Sequence, residues 1–302
     1  MNLKTKIFVS SPFQLLGIKE FIEKYKIENF SLVAFNYNLN SASQIKQTAE
    51  YLNLKITFEY NKINRFIYLK LFSKYFFDKT CNLILGSFHN SHFWFLTKII
   101  RFKNLIFVDD GIASTLINNN NYSKNSFIGK IFGWKYKGKY THFTIFNMVE
   151  KAEINDLLFY KKKIAKKLID NQIVILGSNL VESNLVSMDD YLNKLNDIKL
   201  NYKNSNILYI PHRLENLENY SKYNLPILNS SLCFEVLLLT LERLPKIVLG
   251  FYSTGLITTK LLYNEIDVKN IELNNSFKYL NNELKSLLKY YGIKNLNFNE
   301  NN

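Results

Sequence analysis

Two adjacent carboxylates, Asp109 and Asp110, stand directly before Gly111 in the stretch VDDG. Charges that close together cannot both be desolvated cheaply, so one of them has reason to hold its proton more tightly and work as a general base. A metal site, or a helix N-cap followed by a glycine-permitted turn, would use the same residues. Farther along, His212 and Arg213 follow Pro211 in YIPHRLE. Both can donate to a phosphate, Arg213 in bidentate fashion, and a purely structural histidine is the alternative. Ser253 and Thr254 precede Gly255 in GFYSTGL. Hydroxyls and unpaired amides at a helix start can hold an anion, or simply cap the helix. Glu235 sits inside the apolar run of SSLCFEVLLLTLERLP and needs a partner: a ribose hydroxyl, a buried arginine or a backbone group. His89 and His92, in HNSH, have the spacing of a metal pair or of an ordinary helix start.

The elements that must position these residues can be read from periodicity. KIFVS (6–10), FSLVAFN (30–36), KITFEY (55–60), CNLILG (81–86) and NLIFVDD (104–110) read as strands, and helical patterns separate them. A basic segment from Lys151 to Asp170 reads as a helical joint. The alternation then resumes with QIVILGS (172–178), NILYIPH (206–212), KIVLGF (246–251) and VKNIEL (268–273), with helices near 187–200, 231–243 and 253–263 and an amphipathic helix at the end. Strand-helix alternation predicts an α/β fold with parallel sheets and right-handed crossovers. Two such halves predict two Rossmann-like domains facing a cleft, divided as 1–170 and 171–302. Ligands of open α/β sheets bind beyond the carboxyl ends of the strands, which is where the residues above fall. The same rule adds Ser11 and Gln14, from SSPFQ after the first strand, and Gly177 and Ser178 from GSNLVE. Pro12 suits the first position of the helix that follows.

Composition narrows the classes. With 302 residues, 47% hydrophobic and 15% aromatic, the chain can bury sizeable cores and is not disordered. A net charge of +14 favours anionic partners. The basic stretches KYKGKY (135–140) and YKKKIAKK (160–167) come with no nucleic-acid-binding motif, so nucleic acid is not an expected partner. Cys81 and Cys233 fit neither a disulfide framework nor a metal spacing and read as buried free thiols of a reducing compartment. No apolar run is long enough to span a bilayer, so the expected location is cytoplasmic, with a peripheral position on the inner membrane as a variant. Neither GxxxxGK nor GxGxxG occurs.

Taken in order, DDG (109–111), the PHR of 211–213, the Glu235 helix and YST (252–254) make a pattern. It resembles bacterial sialyltransferases of the glycosyltransferase-B (GT-B) architecture, which carry a D/E-D/E-G motif, an HP motif and a serine-rich motif. The closer resemblance is to the lipooligosaccharide sialyltransferase family, glycosyltransferase family 52, with capsular polysialyltransferases as relatives; SPFQ and LGSNLVE also look like that group. It spans residue 7 to about 263, and it departs from the family in one respect: the proline precedes His212, and Arg213 follows it.

The resemblance implies an inverting, metal-independent transfer of sialic acid from CMP-sialic acid to a sugar hydroxyl of a bacterial surface glycan, lipooligosaccharide or capsule. Asp110 would be the base, with Asp109 as its neighbour or substitute. His212 would stabilise or protonate the departing phosphate, Ser253 and Thr254 would bind its oxygens, and Glu235 would hold the ribose. Ser11, Gln14, Gly111, Gly177, Ser178 and Arg213 complete the expected substrate contacts. No cofactor is expected, CMP-sialic acid being the donor substrate. The expected partners are that donor and a lipid-linked glycan, with an anionic membrane surface and a second copy of the chain as further candidates. Transfer of Kdo or of another CMP-activated nonulosonic acid is the alternative activity. The alternative without catalysis is a glycan- or membrane-binding protein on a degenerate transferase fold.

Overall fold

A computed structural model describes residues 3–61, 66–88, 90–112, 114, 139–147, 149, 152–161, 167–273 and 278–296. The chain divides into two compact units, Met1–Lys162 with Ser231–Cys233, and Lys163–Ser230 with Phe234–Asn302.

The first unit opens with strand β1 (Thr5–Val9), buried along its whole length. Helix α1 (Pro12–Tyr25) follows, with Ser11 as its N-cap and Pro12 in its first turn. Strand β2 (Phe30–Asn36), helix α2 (Leu39–Tyr51), β3 (Ile56–Asn61), α3 (Ile67–Tyr75), β4 (Cys81–Leu85), α4 (Ser91–Ile99) and β5 (Phe102–Val108) continue the alternation. Strands β6 (Thr141–Thr144) and β7 (Ala152–Ile154) and a single helical turn, α5 (Leu158–Lys161), complete the described part. The sheet order is β3-β2-β1-β4-β5-β6-β7, and every pair is parallel. Near-continuous apolar runs such as IFV and LIL are what a sheet covered on both faces requires. The core on one face gathers Phe8, Phe35, Phe93, Trp94 and Phe107. The chain reverses its direction of winding between β1 and β4, and a ligand crevice of such a sheet lies beyond the carboxyl ends at that point.

The second unit runs β8 (Lys167–Leu176), α6 (Met188–Asn201), β9 (Asn206–Ile210), a 3-10 turn with a short helix α7 (Tyr220–Tyr223), and α8 (Phe234–Thr240). Next come β10 (Arg243–Gly250), α9 (Thr254–Leu262), β11 (Asp267–Asn270), α10 (Lys278–Tyr290) and β12 (Lys294–Asn295). Its sheet, again all parallel, has the order β12-β11-β10-β8-β9, so the reversal lies between β8 and β10. Two parallel Rossmann-like sheets match the expected fold class.

Three local expectations need correction. The basic segment 151–170 is not one helix: 152–154 is strand β7 and 167–170 opens β8, while Lys151 and 162–166 lie outside the described residues. Parallel pairing of Ala152–Ile154 with β6, and of Lys167–Ile169 with Arg243–Pro245, overrides the weak helical preference of the lysines. The domain boundary expected at 170 therefore falls inside β8, and the units divide earlier. Cys81 is buried, but Cys233 is half-exposed; both are free thiols. Among the described residues, no helix is long and apolar enough to cross a membrane.

Candidate functional site

In the first unit the strand ends β1, β4 and β5 bring Ser11, Gln14, Asp109, Asp110 and Gly111 together. Gln14, in the first turn of α1, is completely buried. Its carbonyl oxygen accepts from the Ser10 amide at 2.7 Å and the Ser11 amide at 3.3 Å, as the third residue of a capping box does. Its amide nitrogen donates to Asp110 Oδ1 at 2.7 Å and to Ser10 Oγ at 3.3 Å. The Ser11 hydroxyl donates to the same Asp110 Oδ1 at 3.1 Å. Room for the Gln14 side chain comes from Gly86, just past β4, where any Cβ would overlap Gln14 Oε1.

Asp110 is half-buried, and its amide donates to Ser114 Oγ at 2.9 Å. Among the described residues no hydrogen bond reaches Oδ2, so Oδ1 is anchored and Oδ2 is available. Gly111 follows with φ +77°, the left-handed turn for which glycine is suited. Asp109 has a different environment. It is 4% exposed, its Oδ2 accepts from the Ile145 amide at 2.7 Å, and its Oδ1 lies 3.5 Å from His142 Nε2. His142, in β6, is fully buried and was not among the expected site residues. The paired acids thus separate into one turned into the protein and one turned out. Tyr37 also belongs near this rim: its hydroxyl accepts from Asn90 Nδ2 at 2.7 Å. Burial, with the negative charge of Asp110 adding to it, pushes Tyr37 up to about 12. Asn90 caps α4, so HNSH is a helix start on its His92 side. His89 lies outside the described residues.

The second unit gathers Gly177, Ser178, His212 and Arg213 at the ends of β8 and β9. The residue that organises them, Glu215, was not singled out, although it lies in the quoted YIPHRLE. It is 6% exposed, and its Oε1 accepts from the Tyr209 hydroxyl at 2.5 Å and the Tyr223 hydroxyl at 3.0 Å. Its Oε2 accepts from the His212 amide at 2.5 Å. Tyr191 bridges onward, contacting the Tyr209 hydroxyl at 3.0 Å and accepting from the Ser178 amide at 3.1 Å. A Cβ at Gly177 would overlap Glu215 Oε2 and crowd the Tyr209 hydroxyl, so this glycine serves packing. Burial pushes Glu215 up to about 7, against three hydrogen bonds that favour the carboxylate.

His212 is half-exposed, and its Nδ1 accepts from the Leu214 amide at 3.2 Å. In the neutral ring that bond places the proton on Nε2. Desolvation first, and the adjacent Arg213 charge second, bring His212 down to about 4. The ring is therefore a neutral Nε2–H donor beside a guanidinium.

At the end of β10, Tyr252 has φ +51°, uncommon for a residue with a side chain, and its amide donates to the buried Asn270 Oδ1 at 2.8 Å. Ser253 Oγ accepts from the Gly255 amide at 3.1 Å, so the plain cap of α9 is present, with Thr254 as the first helical residue. Glu235, in α8, is 8% exposed and accepts from Thr258 Oγ1 at 3.5 Å.

No protein-family model and no curated protein matches the sequence. Solved structures do. An α/β-galactoside α-2,3-sialyltransferase from Photobacterium phosphoreum superposes with a TM-score of 0.56 at 14% identity, over 99% of this chain and 100% of that one. A Methanocaldococcus jannaschii UDP-GlcNAc 2-epimerase, in complex with UDP-GlcNAc and UDP, gives 0.55 at 14%, over 89% and 83%. The spinosyn rhamnosyltransferase SpnG, complexed with thymidine diphosphate, gives 0.51 at 9%, over 97% and 86%. At such identities the likeness is one of fold, shared by sugar transferases and sugar-nucleotide epimerases alike.

Proposed function

We propose that the chain is a glycosyltransferase using a nucleotide-activated sugar, with Asp110 as the base that deprotonates the acceptor hydroxyl. The observation that carries this reading is the double anchoring of Asp110 Oδ1 by Ser11 and Gln14, with Oδ2 left to face a ligand. A carboxylate held by two donors keeps its direction, as a base must before a substrate arrives. Asp109, bound to the Ile145 amide and beside His142, is the positioning neighbour.

The donor we propose is a CMP-activated nonulosonic acid, with CMP-sialic acid first. Support comes from the order of DDG, PHR and YST and from the overall likeness to a sialyltransferase. In the reaction the acceptor oxygen attacks the anomeric carbon from the side opposite the phosphate, and its proton passes to Asp110. The bond from that carbon to the phosphate oxygen breaks, and its electron pair leaves with CMP. In this reading the charge gathering on the phosphate is met by His212 Nε2–H, by Arg213 and by the Ser253–Thr254 end of α9. Preorganised donors of that kind contribute a few kcal/mol each, typically about 3. His212 then acts first as a hydrogen-bond donor, since its ring is neutral at physiological pH; a bound phosphate would draw its pKa upward.

Thermal unfolding with CMP, UMP, GDP and CDP tests the reading. A ligand at a hundred times its Kd stabilises by about 2.7 kcal/mol, enough to move a melting curve by several degrees. We expect the largest shift with CMP. No shift with CMP overturns the donor assignment, and a larger one with a uridine nucleotide moves it to another sugar-nucleotide class. Hydrolysis of a panel of CMP-sugars then separates sialic acid from Kdo and the other nonulosonic acids. A protein whose binding function is untouched by Asp110→Ala would be the non-catalytic alternative.

A further inference from the structure

Helix α3 does not look like a helix with one buried face. Ile67, Leu71 and Tyr75 fill the core of the first unit, as an edge helix should. Its solvent-facing side carries large apolar residues among its lysines: Phe66 is 65% exposed, Leu69 67%, Phe72 41%, and just beyond the helix Phe76 is 37% and Phe77 85% exposed. Three of these side chains are contiguous. Phe72 and Phe76 stack with ring centroids 4.4 Å apart, and Phe76 meets Phe77 edge-on at 5.0 Å. Phe58, on the edge strand β3, adds a further ring at 41% exposure, with Lys74 Nζ 3.2 Å from its centroid. Single exposed aromatics are common; a connected row of them marks a contact surface.

Charge identifies the partner. Between Phe66 and Lys79 the sequence carries Lys70, Lys74 and Lys79, all exposed, and one acid, Asp78, which is paired with Lys6. Aromatic rings flanked by lysine stems are the composition of a face that settles among lipid headgroups, the rings at the acyl boundary and the ammonium groups on the phosphates. Between Phe66 and Lys79 the one acid is paired, so a second copy of the chain would bring these lysines against each other with no carboxylate among those described residues to offset them. We propose that the Phe66–Phe77 face of the first unit docks on an anionic lipid surface. This surface is distinct from the basic stretch 160–167, most of which lies outside the described residues.

The test is sedimentation of the full-length protein with vesicles of phosphatidylcholine containing about 30% phosphatidylglycerol, against pure phosphatidylcholine vesicles. No donor or acceptor is needed, so the result is independent of the transferase reading. The wild type should bind the anionic vesicles preferentially and lose binding as salt rises. Phe76→Ser with Phe77→Ser should weaken binding roughly tenfold or more by removing two inserting rings. Lys70→Glu with Lys74→Glu should remove the preference for anionic lipid. Equal binding to both vesicle types, or wild-type binding by both double variants, overturns the proposal. So does a concentration-dependent dimer that Phe76→Ser with Phe77→Ser abolishes, because the face would then belong to a second copy. Circular dichroism shows whether each variant is folded, and the salt dependence of the wild type decides the electrostatic half without any variant.

Discussion

Replacing Glu215 by glutamine should change how the stability of the protein depends on pH. The carboxyl is 6% exposed and its pKa stands at about 7 in the folded chain, against an ordinary 4.5. Burial is the main cause, and the bonds from Tyr209, Tyr223 and His212 oppose it without cancelling it. A raised acid holds its proton in the folded state after the unfolded chain has released it. Stability from this group is therefore greatest below about pH 4.5, falls as pH rises towards 7, and is level above. The difference corresponds to about 3 kcal/mol in total, of which about 2.5 kcal/mol is lost between pH 5 and pH 8. Glu215→Gln has no proton to lose. Its amide must also set one N–H against a hydroxyl or the His212 amide, which adds a penalty that does not vary with pH. The assay is urea unfolding of both proteins at pH 5 and pH 8, so that titration of every other group cancels in the difference. The variant should gain about 2.5 kcal/mol on the wild type between the two pH values. A difference that stays constant with pH would refute the reasoning, and Glu215 would then be ionised throughout.

Three further outcomes are expected. Asp110→Asn should lower sugar transfer by roughly 10²–10⁴-fold while leaving the thermal shift with CMP unchanged, measured by transfer from CMP-sialic acid beside a melting curve. Gly86→Ala should destabilise the first unit by about 1–3 kcal/mol, because its Cβ overlaps Gln14 Oε1; Gly86→Ala combined with Gln14→Ala should recover part of the loss in a urea titration. Ser253→Ala should cost about 1 kcal/mol as a lost helix cap, and a phosphate-binding role would show as an additional loss of CMP affinity.

Much of the fold was legible because the central strands are buried on both faces and therefore read as unbroken apolar runs. IFV in β1 and VIL in β8 are of this kind. Strand β7 was not legible: AEI is short, half-buried and at the sheet edge, where pattern carries little. The first half of β8 was hidden in the same way, since KLID sets two apolar residues between charges and reads equally well as part of a basic helix. In the site, strand-end position alone pointed to Ser11, Gln14, Asp109, Asp110 and His212. It could not tell the two aspartates apart, because their difference lies in the Ile145 amide and His142, distant in sequence. Glu215 needed Tyr191, Tyr209 and Tyr223 beside it to become visible, and no local pattern announces a partnership spread over three elements. Its distance of three residues from His212 in a strand-end loop was the available hint.

The two glycines past β4 and β8 share a consequence for how such a protein can change over time. Gly86 leaves a hollow that Gln14 occupies, and Gly177 leaves one that Glu215 occupies. For the two pairs the order of change matters differently. At the first pair a smaller residue at 14 comes first and opens space, after which a side chain at 86 is tolerated, and the reverse order passes through a misfitting intermediate. At the second a smaller residue at 215 is not enough, because the Tyr209 hydroxyl and the His212 backbone nitrogen also crowd a Cβ at Gly177. Natural drift and laboratory libraries should therefore leave Gly86 through Gln14 first, while Gly177 should stay fixed unless its surroundings rearrange.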